Sequence, residues 1–527
     1  MIKSSVINSS ASAMGLGKPL VHFWSECVGA GRANEGLRAN WLEHLELVAR
    51  ECGFKYLRFH GIFHDDMFVY TEKDGKGVYN WQYVDELFDR MLAMGVRPLV
   101  ELAFCPGAMA SCSEPKTFWW KAWGCPPSDY GKWAELVSQF ARHCIARYGL
   151  EEVLTWPFEV WNEPNLDYFW LGTRSQYFEL YRVSCLALKK IDTRLQVGGP
   201  ATSTFMCDHR YDGEVANDDN PLPYDPSMPF LPVWVNEFIA YCHANSLPMD
   251  FISTHPYPAE FPFDPHGLLG GKSARLPEAA REDLTMLREI IDASPYPQAK
   301  IHLTEWSSSP SSRDFTHDVL PEATFIVKTN VDASGLADSL SYWTFTDVFE
   351  EGGAGPTVFH GGFGMINFQG IVKPSFHGYR MLNQLGDEEL TRSEGVIVTR
   401  RRRDGAVVAL AYHFPPEQDR SLPTTKTFED GMAIMTIGQP RPLHLELTDL
   451  PPRAPFEIEI LDSDHANAAA LWDTMGRPEP PTREQTAALR KQAMQTDLRV
   501  AAADENGRLV IDRMMSPWSV VLVRQLA

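Results

Sequence analysis

Several features that would assign this chain to a class are missing. No apolar run approaches the roughly 18 residues that cross a bilayer. Cations are in the minority: 48 Lys and Arg stand against 69 Asp and Glu, a net charge of −21. A surface that acidic repels phosphate backbones and anionic lipid, which argues against nucleic-acid and membrane-surface roles. The glycines of GAGRANEG (29–36) are not at GxGxxG spacing, which argues against a dinucleotide fold. There is no GxSxG elbow and no HExxH pair. The nine cysteines (27, 52, 105, 112, 125, 144, 185, 207 and 242) form no CxxC pair, and the reading they favour is reduced, packing thiols. The opening MIKSSVINSSASAMGLGKPLV lacks the 7–15-residue apolar core of a secretory signal, so the expected location is the cytoplasm. In that setting Asn8-Ser9-Ser10 is read as a chance glycosylation match.

What is present is an ordinary globular composition, with 44% hydrophobic, 22% charged and 12% aromatic residues, 15 of them Trp. From 21 to 386, short apolar runs alternate with helical patterns. The runs are 21–29, 55–61, 97–104, 156–164, 196–202, 251–258, 300–306 and 339–347. Between them, apolar residues recur every three or four positions, as at Leu37, Trp41, Leu45, Val48 and Cys52. Glycines at 53, 95 and 149 mark helix ends. Eight strand signals, each followed by a helix signal, predict an α/β fold, a (β/α)8 TIM barrel. After 387 the period changes to two, with a hairpin at 396–414 turning at Asp404-Gly405 and further strands at 440–450 and 456–462. This predicts an accessory C-terminal β-sandwich over 387–527, carrying one helical insertion at 482–495. Residues 1–20 are expected to pair with that β domain. The four-arginine run 400–403 reads as a solvated hairpin face.

In such a barrel, chemistry collects at the C-terminal ends of the strands. The polar residues there are His60 and His64, Asn162 and Glu163, His255 and Tyr257, Glu305, and then Asp347, Glu350 and Glu351, with Trp306 and Trp343 beside them. His60 and His64 are four apart but not on a helix, and no third ligand is evident, so no metal or other cofactor is expected. Two carboxylates facing one cleft suit glycoside hydrolysis: one protonates the departing oxygen, the other stabilises or attacks the cationic anomeric carbon. Aromatic walls suit the apolar faces of a sugar, and amides and imidazoles suit its hydroxyls.

EVWNEPN (159–165) with LTEWSSS (303–309), RFHGIFHDDM (58–67) and VFEEGG (348–353), on a barrel followed by a β domain, resembles glycoside hydrolase family 39 on its bacterial β-xylosidase side. The resemblance spans nearly the whole chain. It implies that Glu163 is the general acid/base and Glu305 the nucleophile. It implies that Asn162 bonds the sugar 2-hydroxyl, that His60, His255 and Tyr257 line the −1 subsite, and that Trp343 is its floor. It further implies that Glu350 holds hydroxyls, that Phe118 is a wall, and that a cis peptide follows Trp343. Independently of the family, an ionised Glu305 beside Glu163 should raise the pKa of Glu163, and esterification of Glu305 should let it fall again.

The expected substrate is a neutral pentose, β-D-xylose at the non-reducing end of xylooligosaccharides. HPYP (255–258) carries no cation for a uronate carboxylate, and the loop 105–131, with Trp119, Trp120 and Trp123, suits a closed pocket. The alternatives are another exo-glycosidase, such as an α-L-arabinosidase, and a sugar-binding barrel without catalysis. Homo-oligomerisation is left open.

Overall fold

A computed structural model describes residues 6–203, 233–260, 273–420 and 425–526. The eight predicted strands form one closed, all-parallel barrel: β1 (Cys27–Arg32), β2 (Tyr56–His60), β3 (Arg97–Leu102), β4 (Pro157–Val160), β5 (Gln196–Ser203), β6 (Phe251–His255), β7 (Lys300–Trp306) and β8 (Ser339–Tyr342). A helix follows each, from Ala39–Cys52 after β1 to Pro374–Asn383 after β8. Burial on both faces explains why the strands read as near-continuous apolar runs. Local signals set the helix limits. Asp129 caps Tyr130–Tyr148 through the Gly131 and Lys132 amides. Gly53 ends Ala39–Cys52 at φ +75°, in the left-handed region that glycine enters without strain.

The remaining strands build a sandwich. Three of them, Ile7–Ser12, Arg441–Thr448 and Leu509–Met515, form one sheet, in which Ile7–Ser12 is an edge strand parallel to Arg441–Thr448. Strict alternation of buried and open positions along Ile7–Ser12 and Arg441–Thr448 shows one wet face. The other sheet has seven strands, and Lys18–Pro19 adds to its edge beside Glu388–Ser393. Its strand Val407–Tyr412 is buried throughout because the sheet is covered twice. Val407, Ala409 and Ala411 face the smaller sheet, while Val408, Leu410 and Tyr412 join the barrel's core. The arginine run sits at the Asp404-Gly405 turn, where Arg400 and Arg402 reach Glu388, and Arg401 and Arg403 reach Asp404.

The insertion helix is Arg483–Ala493, closed by a Thr482–Gln485 capping box. It docks on the barrel through buried Leu489 and Ala493 and through the Ala493 carbonyl, 2.7 Å from His377 Nε2. Two further helices, Phe428–Ile434 and Ala468–Thr474, interrupt the β domain, which was expected to hold one insertion. Each has only seven residues, too few for periodicity to announce them. The cysteine expectation also needs correction: Cys112 and Cys125 form a disulfide. Their separation of 13 residues resembled nothing diagnostic, and only the folding back of the loop after β3 brings them together. Six other cysteines are free and buried, and Cys207 lies outside the described residues. Among the described residues, no helix is long and apolar enough to cross a membrane.

Candidate active site

The upper barrel interior holds charge where strands are normally apolar. Arg58 on β2, Glu101 on β3 and Glu159 on β4 are at most 1% exposed. Burying charges is tolerable only when they are paired and hydrogen-bonded. Arg58 meets this on every side: Nε donates to Glu159 (2.9 Å), Nη1 to Glu305 (2.5 Å), and Nη2 to Asn162 Oδ1 (2.7 Å), with Glu101 also 2.8 Å from Nη2. None of these three charged residues was singled out in the sequence. The available signal was a charge embedded in an apolar strand, with Arg58 two residues before His60 and so on the same inward face.

The Arg58 bond fixes the orientation of the Asn162 amide. Its oxygen faces the guanidinium, and its buried Nδ2 has no protein partner, leaving a donor aimed at the chamber. The backbone on either side is held in the left-handed region, with Trp161 at φ +73° and Glu163 at +43°. Such conformations cost of order 1–3 kcal/mol and persist where the surroundings impose them. Here the Glu163 amide donates to the Ala201 carbonyl (2.8 Å), and Asn165 brackets the Ser203 backbone at 2.8 and 2.9 Å.

Glu305, near the end of β7, accepts from Arg58 at Oε1 and from the Tyr257 hydroxyl at Oε2 (3.2 Å). His255 Nδ1 lies 2.9 Å from Glu163 Oε1 and 3.8 Å from Glu305 Oε1. One oxygen of each glutamate and a nitrogen of His255 all lie within 4.8 Å of one another. Donor atoms so close would also suit a cation, but Arg58 already supplies positive charge at Glu305. Both carboxylates are 6% exposed. Burial pushes the Glu163 pKa well above its usual range, and the charge of Glu305 adds to the shift. The neighbour's charge, the cause anticipated from sequence, is thus the second contribution. Burial also raises Glu305, to about 7, and Arg58 and His60 oppose it. Of the two, Glu163 is the one that keeps the proton.

Burial alone would lower the pKa of His60, but Glu101 (2.7 Å from Nδ1) and Glu351 (3.3 Å from Nε2) outweigh it and raise it to about 10. His60 is therefore an imidazolium beside Glu305. His255 is pushed well below its usual value by burial and by the positive charges of Arg58 and His60. Trp343 packs against His60 with ring centroids 4.8 Å apart. Gly29 on β1 makes room for it: a Cβ there would come within 2.4 Å of the indole. The Trp343–Thr344 peptide is cis. Phe118 stacks on Trp120 at 4.9 Å and lies 5.3 Å from His60. Asp347, by contrast, is held in a buried ion pair with Lys373 at 2.7 Å. His64 is committed to Asp66 at 2.7 Å.

The two adjacent acids after β8 point to different partners. Glu350 is occupied by Arg32 (3.0 Å) and Arg38 (2.7 Å), outside the chamber. Glu351 faces His60. Glu350, expected from sequence to hold sugar hydroxyls, is thus ion-paired with two arginines, and it is Glu351 that lies against His60. The loop after β3 reaches across to the loop after β8. Its Trp119 amide donates to the Glu351 carbonyl (2.7 Å), and its Trp120 lies under Arg32 at 5.2 Å.

A family model described as glycosyl hydrolases family 39 matches residues 10–509. The chain belongs to this family. It is 36% identical to a β-xylosidase of Geobacillus stearothermophilus, over 88% of this chain and 84% of that one. It is 34% identical to a β-xylosidase of Caldicellulosiruptor saccharolyticus, over 95% and 94%. The crystal structure of a monomeric β-xylosidase from Caulobacter crescentus CB15 superposes with a TM-score of 0.85 at 33% identity, covering 99% of this chain and 100% of that one. Family 39 membership and the barrel-plus-sandwich architecture are thus what the motifs implied. Seven of the nine residues proposed from sequence surround the glutamate pair or contact its neighbours: His60, Asn162, Glu163, His255, Tyr257, Glu305 and Trp343. Phe118 lies 5.3 Å from His60, and Glu350 pairs with Arg32 and Arg38.

Proposed function

We propose that the chain is a retaining exo-β-xylosidase, with Glu305 as nucleophile and Glu163 as acid/base. The observation that carries this reading is the approach of one oxygen of each glutamate to within 4.8 Å. The carboxyl groups of retaining pairs sit roughly 5–5.5 Å apart, whereas those of inverting pairs need about 6.5–9.5 Å to admit a water, and so close an approach of single oxygens is compatible with the shorter spacing. Arg58, His60 and Tyr257 favour the anionic form of Glu305, so it attacks the anomeric carbon. Glu163 enters protonated and gives its proton to the leaving oxygen. Once Glu305 is an ester its charge is gone, one cause of the raised Glu163 pKa is removed, and the carboxylate can take a proton from water. The free Asn162 amide suits the 2-hydroxyl, Glu351 and His60 suit other ring hydroxyls, and Trp343 with Phe118 supplies apolar walls.

Xylose is favoured by the relatives named above and by the absence of an uncommitted cation in the described chamber. Arg58 and His60 are both engaged by glutamates, so a uronate carboxylate would find no partner. The low exposure of both glutamates, and the loop after β3 bonded to the loop after β8, support action at chain ends. The test is kcat/KM for aryl β-xyloside, α-L-arabinoside and β-glucoside. The xyloside is expected to lead, and equal rates for all three would overturn the assignment.

The pH profile follows from the two carboxyls. Below about 7 a proton neutralises Glu305 and attack stops, while above the higher pKa of Glu163 no proton is left to give. kcat/KM should rise as pH increases through about 7, level off and fall again on the alkaline side. Both limbs are properties of the coupled pair. A rate that keeps rising into the alkaline range would contradict the acid role of Glu163.

A further inference from the structure

We infer that Thr304 is a positioning residue that fixes the tautomer of His255 and thereby holds a proton on Glu163 Oε1. The inference rests on the reading of Glu163 as acid/base. Five buried groups form a chain. Arg58 Nε donates to Glu159 Oε2 (2.9 Å), Thr304 Oγ1 lies 2.7 Å from Glu159 Oε1, His255 Nε2 is 2.9 Å from Thr304 Oγ1, and His255 Nδ1 is 2.9 Å from Glu163 Oε1.

Counting hydrogens along this chain leaves one solution. An ionised carboxylate only accepts. Glu159, paired with the Arg58 guanidinium, is such an acceptor, so the single Thr304 hydroxyl hydrogen goes to Glu159. Thr304 then shows His255 a lone pair, and Nε2 must carry the imidazole hydrogen. Burial and the neighbouring cations keep His255 neutral, so Nδ1 is bare. At 2.9 Å, the contact between Nδ1 and Glu163 Oε1 is a hydrogen bond only if the carboxyl carries the proton. Thr304, one residue before the nucleophile, thus acts on the acid through one intermediary, His255.

The arrangement has consequences for both half-reactions. In the resting enzyme the proton points at Nδ1, and turning the O–H about Cδ–Oε1 delivers it to the glycosidic oxygen. After transfer, the Glu163 anion faces a lone pair, so it readily takes a proton back from the attacking water. Among the described residues, the other charged or titratable groups facing this pair are Arg58 and His60 from β2, Glu159 from β4, Tyr257 after β6, Glu305 from β7 and Glu351 after β8. The hydroxyl of Ser203, on β5, also bonds Glu163.

The direct test is nitrogen-15 NMR of His255 in the unmodified enzyme on the activity plateau, assigned by its loss in His255→Gln. Protonated Nε2 with bare Nδ1 is expected, and a protonated Nδ1 overturns the inference. The second test is Thr304→Val, which removes the hydroxyl at equal size. His255 is then free to put its hydrogen on Nδ1 and stabilise the Glu163 anion. The alkaline limb of kcat/KM should move down by about one pH unit, the worth of one hydrogen bond to a charged group. Thr304→Ser should restore it. A folded Thr304→Val enzyme that loses activity with its limb unmoved overturns the inference, since a merely structural role gives that result. If Thr304→Val does not fold, the nitrogen spectrum decides. If the unmodified enzyme cleaves no glycoside, the acid/base reading itself fails, while the spectrum still reports the tautomer.

Discussion

Glu305→Ala should lower kcat/KM for an aryl β-xyloside by on the order of 10⁵–10⁶-fold, the scale seen when a covalent nucleophile is removed. The loss has two sources. No atom remains to attack the anomeric carbon, and the developing cation loses the anion beside it. Alanine also removes one of the two carboxylates that Arg58 and His60 share in a buried site, leaving them only Glu101 in common. Glu305→Gln, which keeps the volume and an oxygen near Arg58, is the companion variant that separates lost chemistry from lost structure. Both should be inactive, and Gln should unfold at a temperature nearer to that of the unmodified enzyme. Activity within tenfold of the parent in either variant would remove the mechanism proposed here.

Glu163→Ala should split substrates by leaving group. For xylobiose or phenyl xyloside, whose departing oxygen needs a proton, the first step should slow by about 10²–10⁴-fold. For a dinitrophenyl xyloside, which leaves as a stable anion, that step should be nearly unchanged. The second step then becomes limiting, because water has lost its base, and KM should fall as the glycosyl-enzyme accumulates. Azide needs no base. Added azide should restore turnover of the activated substrate and yield β-xylosyl azide, the configuration expected after two displacements. Equal slowing of all leaving groups would contradict the acid role, and α-azide would contradict retention.

The sequence was most legible where one element type repeats. Alternating apolar runs and helical spacing gave the barrel because its strands are buried on both faces and its helices are amphipathic. Glu163 and Glu305 were legible because each sits in a run of unusual neighbours at a strand end. Three things were not. Glu350 and Glu351 are adjacent in a loop without periodicity, so only the folded chain shows which turns to Arg32 and Arg38 and which to His60. The Cys112–Cys125 bond depends on a loop path that no spacing encodes. Arg58, Glu101 and Glu159 looked like members of strands, and their role appears only once the barrel closes and makes them neighbours.

Those three residues also explain how two carboxyls in one dry chamber divide their tasks. A lone buried pair would hold its protons too tightly to react. The guanidinium on Glu305, with the His60 imidazolium beside it, moves charge to one partner and leaves the proton on the other.

The most direct test of this division is covalent. Treatment with an activated 2-deoxy-2-fluoro-β-xyloside slows both steps but allows the first, so the intermediate can be digested and weighed. The account predicts one fluoroxylosyl group per chain, carried on Glu305. A label on any other residue, or no label together with release of α-xylose as the first product from a normal substrate, would contradict it.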